Sequence, residues 1–292
     1  MELRIAGLSK TYPNGVEALR DVTLTIPQGM FGLLGPNGAG KSTLMRTLAT
    51  LQEADTGTVH MGGIDVLSDK RAVRRSLGYL PQEVGLYPKV RAAELLDHFA
   101  ILKGLTARAE RRAVCDALLH RTNLWGARSQ KLGTFSGGMR RRFGIAVALL
   151  GDPRLIIVDE PTAGLDPAER ERFHNLLAEI GESSIVILST HIVDDVSNLC
   201  SRLAVMSEGA IRLQGRPDEV VARLDGRLWI RTVDRGDVNA QTDGVDVLST
   251  RLSAGRTAIR VIADTAPDGF EPVAPTLEDA YFAATSGRLG EA

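Results

Sequence analysis

Nine residues, Gly35 to Thr43 reading GPNGAGKST, constrain the fold of this chain more than any other part of it. They fit G-x-x-x-x-G-K-[ST]; apolar Met30, Phe31, Leu33 and Leu34 precede them as a strand, and Ser42-Thr43-Leu44-Met45-Arg46 opens a helix. That order makes a P-loop. Gly35, Gly38 and Gly40 leave room for the backbone to wrap a polyphosphate, with successive N–H groups and the helix N-terminus facing its charge. Pro36, Asn37 and Ala39 complete the loop, and Lys41 adds a point charge at the β- and γ-phosphates. The Ser42 hydroxyl is expected to ligate Mg²⁺, with Thr43 near the α- and β-phosphates. The plain alternative is a glycine-rich turn.

A second segment, Leu155-Ile156-Ile157-Val158-Asp159-Glu160, is a continuous apolar run too short for a helix and ending in two carboxylates. It reads as a buried parallel strand. Ligands of α/β sheets sit at the carboxyl ends of the strands, which brings Asp159 and Glu160 beside the phosphates. Asp159 then suits the Mg²⁺ shell and Glu160 the attacking water, since phosphoryl transfer asks mainly for charge and positioning. An acidic strand end that merely faces solvent is the other reading.

Phe135-Ser136-Gly137-Gly138-Met139, followed by Arg140-Arg141-Arg142 and the helical run Phe143 to Leu150, separates this chain from other P-loop proteins. Here the chain resembles the ATP-binding subunits of the ATP-binding cassette (ABC) family, whose signature most often reads LSGGQ. Ser136, Gly137 and Gly138 keep the phosphate-contacting part, while Met139 replaces an amide side chain. The resemblance covers about residues 2 to 216, in the family's order. Tyr12 matches its adenine-stacking aromatic. Gln82, in Tyr79-Leu80-Pro81-Gln82-Glu83, matches the Q-loop glutamine that touches Mg²⁺ or water. Asp166, in Gly164-Leu165-Asp166-Pro167, matches the loop at the dimer interface. His191, after the apolar strand Ile185 to Leu188 and Ser189-Thr190, matches the switch histidine at the γ-phosphate. Taken singly, Ser-Gly-Gly is a common turn, and a lone tyrosine or strand-end histidine is ordinary; six segments in fixed order are not.

The resemblance implies a fold and a mechanism. The fold is α/β, a P-loop ABC ATPase core with antiparallel β and helical subdomains and a small α+β C-terminal domain. The implied activity is ATP hydrolysis, with ATP and Mg²⁺ as cofactors and Glu160, His191 and Gln82 as catalytic residues; Ser42, Gln82 and Asp159 serve the metal. The family works as a head-to-tail homodimer, so that Ser136, Gly137 and Gly138 act in trans. A separate transmembrane permease is the implied partner, with the chain peripheral on the cytoplasmic side of the cell membrane.

Composition agrees with these expectations. Net charge is −1, so no basic field points to nucleic acid. Cys115 and Cys200 lie far apart without metal spacing, which fits a reducing compartment. No apolar run approaches the roughly 18 residues of a membrane span, and the first residues carry no secretory signal pattern.

Along the chain, residues 2–28 alternate like antiparallel strands around a Pro13-Asn14-Gly15 turn, and residues 57–66 like another pair around Gly62-Gly63. Ala92 to Leu102 and Ala107 to Leu119 repeat apolar residues at three-to-four spacing, which predicts a helical subdomain over about 83–150. Strands at 155–160, 185–190 and 202–207, with a helix from Pro167 to Ile180, give a doubly wound core. The nucleotide-binding domain is expected over 1–217 and an accessory domain over 218–292. In the latter, Leu228 to Val233, Val245 to Leu252 and Thr257 to Ile262 read as strands, before a short helix capped by Thr276 with Asp279 at its third position.

The closing Leu-Glu-Asp-x-aromatic segment and Leu86-Tyr87-Pro88 resemble the ATPases of multidrug and antibiotic-resistance exporters. Export of an unidentified substrate is therefore the expectation. A soluble ABC ATPase acting on ribosomes or DNA, or an importer ATPase, is the alternative.

Overall fold

A computed structural model describes residues 1–292 except 83–84, 86, 163–164, 239–241, 243, 254 and 290–292. Glu83, Leu86 and Gly164, drawn above into the segments around Gln82, Tyr87-Pro88 and Asp166, lie outside the described residues.

Strands β1 (Glu2–Thr11) and β2 (Glu17–Pro27) pair antiparallel around the Pro13-Asn14-Gly15 turn, and β4 (Thr56–Met61) pairs with the other edge of β1. Strand β5 (Ile64–Asp65) closes this four-stranded sheet. Its alternation turns Leu3, Ile5, Leu24, Ile26 and Val59 inward.

The central sheet has six strands in the order β10-β9-β3-β8-β7-β6. Strands β3 (Gly29–Leu34), β6 (Leu77–Leu80), β7 (Leu155–Asp159), β8 (Ile185–Thr190) and β9 (Arg202–Ser207) run parallel, and β10 (Ala210–Gly215) is antiparallel at the edge. Every residue of β7 and β8 is buried, as expected of strands covered on both faces. The pleat divides their apolar residues between two cores. Leu155, Ile157, Ile185 and Ile187 pack with the antiparallel sheet and with helix α1 (Lys41–Leu48). Ile156, Val158, Val186 and Leu188 pack on the opposite face with α3 (Ala92–Leu102), α5 (Gly137–Ala148) and α6 (Pro167–Gly181). Helix α4 (Arg108–Arg121) joins α3 and α5 in the helical layer. No helix among the described residues is long and apolar enough to cross a membrane.

Three elements have no clear pattern in the sequence: α2 (Lys70–Ser76), strand β6, and α7 (Val193–Leu199). Beyond α8 (Pro217–Ala222), strands β11 (Leu228–Asp234), β12 (Val247–Ser253), β13 (Arg256–Ile262) and β14 (Glu271–Pro272) form an antiparallel sheet in the order β12-β13-β11-β14. Helix α9 (Leu277–Thr285) has Thr276 as N-cap: its hydroxyl accepts from the Asp279 N–H, and the Asp279 carboxylate accepts from the Thr276 N–H. Arg260 of β13 pairs with Asp279. The buried face of α9, Leu277, Ala280, Ala283 and Ala284, lies against α7, α8 and β9 in the same core as Leu203, Val205 and Val220.

Candidate functional site

The turn after β3 and the first residues of α1 wall a cavity of about 580 Å³. Asn37, Gly38, Ala39, Gly40, Lys41, Ser42 and Thr43 line it, together with Tyr12, Gln82 and Glu160. Glycine is required at two positions of the loop. Gly40 caps α1 in the left-handed region at φ 104°, and a Cβ there would stand 2.3 Å from the Ala18 carbonyl oxygen. A Cβ on Gly35 would stand 2.4 Å from the Met206 carbonyl oxygen. The loop is thus pressed onto its surroundings, and the Gly209 N–H donates to the Ala39 carbonyl at 3.0 Å.

The Lys41 ammonium is buried and folds back over the loop, donating to the Gly35 carbonyl at 2.6 Å and the Pro36 carbonyl at 3.1 Å. Burial lowers its pKa; the charges of Glu160 and Asp159 oppose that shift. Ser42 is exposed, and Thr43 is buried beneath it.

The carboxyl end of β7 delivers the two acids to this loop. Burial raises the Asp159 pKa first of all; Ser189 opposes the rise, Glu160 adds to it, and Lys41 and Arg46 oppose it. Glu160 sits at φ 48°, an uncommon conformation for a residue with a side chain, held there as its N–H donates to the Ser189 carbonyl at 2.8 Å. That twist turns the Glu160 carboxylate toward the end of β8, where its Oε1 lies 2.7 Å from His191 Nδ1. The His191 ring is nearly half exposed on its other side. Arg141 of α5 reaches behind the acids and donates to the Pro161 carbonyl at 2.6 Å.

Ser136, Gly137, Gly138 and Asp166 do not line this cavity. Ser136 caps α5, its hydroxyl accepting from the Met139 N–H at 3.1 Å, with Ser136 and Gly137 exposed. Asp166 caps α6 in the same way, accepting from the Glu169 N–H at 2.8 Å. The intact helix caps therefore present both segments outward.

Two groups of residues emerge only from the structure. Tyr12 Oη lies 3.2 Å from Thr43 Oγ1 and 3.1 Å from Gln52 Oε1. Behind the acids, the fully buried Asp195 of α7 accepts from Thr162 Oγ1 at 2.5 Å and from Arg170 Nε of α6 at 2.8 Å, with Arg170 Nη2 in ion-pair contact at 2.7 Å and His174 Nε2 at 2.9 Å. Thr162 follows Glu160 by two residues, and α7 starts two residues after His191, so this carboxylate ties together both segments that carry the polar end of the site.

The residues present suit a hard divalent cation. The Ser42 hydroxyl, the Gln82 side-chain carbonyl and the Asp159 carboxylate are all oxygen donors, and among the described residues no cation is in hydrogen-bond contact with the buried Asp159 carboxylate. Among the described residues no group of three His, Cys, Asp or Glu side chains is placed to hold a metal ion.

A family model described as "ABC transporter" matches residues 19–163. The daunorubicin/doxorubicin resistance ATP-binding protein DrrA of Streptomyces peucetius is 34% identical over 280 residues, covering 90% of this chain and 84% of that protein. The probable multidrug ABC transporter ATP-binding protein YbhF of Escherichia coli is 34% identical over 234 residues, 79% of this chain; the chain spans only 40% of its length. Among solved structures, the ATP-binding cassette MJ0796 in a dimeric post-hydrolysis state with ADP and Pi superimposes with a TM-score of 0.67 at 27% identity, covering 73% of this chain and 98% of that one.

Proposed function

Because this chain belongs to the ABC transporter family and carries its ATP-hydrolysing cassette, we propose that it is the ATPase subunit that energises export through a separate membrane permease. The observation that carries the export reading is the likeness to DrrA across nine-tenths of the chain, including the C-terminal part, since the cassette alone is common to importers and exporters.

In this reading the cassette spans residues 1–217, with a helical subdomain over about 83–150 and an accessory domain over 218–292. Gly35 to Thr43 and Tyr12 bind ATP. Lys41 leaves the loop carbonyls for the β- and γ-phosphates. Ser42, Gln82 and Asp159 hold Mg²⁺, whose charge neutralises phosphate oxygens when it is bound. Glu160 accepts the proton of the attacking water as the water oxygen joins the γ-phosphorus and the bond to the bridging oxygen breaks. His191, already bonded to Glu160 through Nδ1, has its exposed edge free for the γ-phosphate. The outward caps at Ser136 and Asp166 support a second copy closing over the site, with Ser136, Gly137 and Gly138 meeting the nucleotide in trans and Asp166 at the dimer interface. MJ0796 is dimeric in its post-hydrolysis state. The permease holds this homodimer at the cytoplasmic face of the membrane.

The experiment is Glu160→Gln, which removes the base and keeps the shape. ATP hydrolysis falls at least about a hundredfold, while Mg-ATP binding persists and drives a stable dimer. Affinity capture of the tagged variant from detergent-solubilised native membranes then recovers a stoichiometric polytopic membrane protein. Recovery with ribosomal or DNA-associated proteins alone overturns the transport reading and leaves the ATPase standing.

A further inference from the structure

Gln52 lies just after α1, outside the wall of the nucleotide cavity, and nothing in its sequence setting draws attention to it. Its amide nevertheless reaches both ends of the nucleotide site. The nitrogen donates to the Thr43 carbonyl at 3.1 Å and to Thr47 Oγ1 at 3.1 Å, and the oxygen faces Tyr12 Oη at 3.1 Å.

The direction of every proton in this group follows from the partners. A carbonyl oxygen only accepts, so the amide nitrogen must face Thr43, and Gln52 Oε1 is left toward Tyr12. Thr47 is fully buried and spends its proton on the same Thr43 carbonyl at 2.9 Å, so it too can only accept from Gln52. Tyr12 therefore gives its phenol proton to Gln52. The 3.2 Å contact between Tyr12 and Thr43 must then be a bond donated by the Thr43 hydroxyl. A flipped amide would set two oxygens against each other and leave Thr47 without a donor.

Thr43 has one hydroxyl proton. When a phosphate oxygen takes that proton, Tyr12 loses the Thr43 bond and keeps only the one to Gln52. We infer that Gln52 is a positioning residue for nucleotide binding: it holds the Tyr12 ring in place for the base after the phosphates have claimed Thr43. This inference rests on the reading of Tyr12 as the surface on which adenine stacks. The base contribution is then separable from the phosphate contribution, because Gln52 does not line the nucleotide cavity.

The test compares binding of ATP and of inorganic tripolyphosphate, each with Mg²⁺, by calorimetry on the full chain. Gln52→Leu weakens ATP about fivefold, the worth of one neutral hydrogen bond, and leaves tripolyphosphate within about twofold. Tyr12→Phe behaves alike, and the double variant is no weaker than either single one, since both remove the same bond. Equal weakening of both ligands by Gln52→Leu would show that the amide acts on the P-loop helix and overturn the inference. So would unchanged ATP binding in Gln52→Leu while Tyr12→Ala weakens it. Should Tyr12→Ala itself leave ATP binding unchanged, the stacking role of Tyr12 falls and this inference with it, with tripolyphosphate binding still reporting an intact P-loop.

Discussion

Replacing Asp195 by alanine removes the one buried acceptor shared by Thr162, Arg170 and His174. Breaking a buried ionic group by deleting one partner costs about 3–5 kcal/mol. The low end applies here, because the Arg170 side chain is 30% exposed and can turn to water, whereas the buried Thr162 hydroxyl cannot. With an unfolding entropy of about 2.1 cal/mol/K per residue, a loss of about 3 kcal/mol lowers the melting temperature of a chain this long by about 5 °C. Asp195→Asn keeps the volume and one acceptor oxygen, and should lose roughly half as much. The assay is thermal unfolding followed by circular dichroism, paired with ATPase activity well below the transition. Activity should fall in step, since Thr162 and α7 flank Glu160 and His191. A melting temperature within about 1 °C of wild type for Asp195→Ala would show that this carboxylate does not hold the two segments together.

Other substitutions probe the loop and the acids. Gly40→Ala must move either its own backbone or the Ala18 carbonyl; we expect a loss of about 1–3 kcal/mol in chemical denaturation and more than a tenfold loss of ATP affinity, and native-like values of both would contradict the contact. The raised Asp159 pKa means that the folded protein binds that proton more tightly than the unfolded chain. Its ionised form therefore subtracts stability as pH rises through the folded value, and the penalty vanishes below about pH 4. Asp159→Asn should melt higher than wild type at pH 7.5 without nucleotide and lose that advantage at pH 4. A gain of equal size at both pH values would assign it to packing instead.

The parts of the site legible in the sequence are those built from contiguous residues. The phosphate loop declares itself through glycines that the close approaches of Gly35 and Gly40 demand, and β7 and β8 through apolar runs that only strands covered on both faces require. Strand β6 escaped because Leu77-Gly78-Tyr79-Leu80 is four residues with a glycine inside; that glycine is needed because a Cβ would stand 2.3 Å from the Ala148 carbonyl oxygen. The Asp195 group and the Gln52 bridge were hidden for another reason. The bonds that Asp195 accepts span 21 to 33 residues and the Tyr12–Gln52 bond spans 40, between residue types that usually face water, so only the packing of α6 on α7, and the approach of Tyr12 just past β1 to Gln52 just past α1, reveals them. The signature and Asp166 segments are matched by resemblance alone, and in the structure Ser136 and Asp166 cap α5 and α6 away from the cavity.

The seating of α9 on α7, α8 and β9 bears on how the protein is made. Residues 277–285 supply alanines and a leucine to the core that also holds Val205 and Val220, so a nascent chain emerging from the ribosome has its whole phosphate loop in solution while one flank of its core still lies open. Closure of that flank waits for residues 277–285. A chain that stops short of residue 277 thus leaves the apolar flank formed by Leu203, Val205 and Val220 uncovered, a surface of the kind chaperones and proteases recognise.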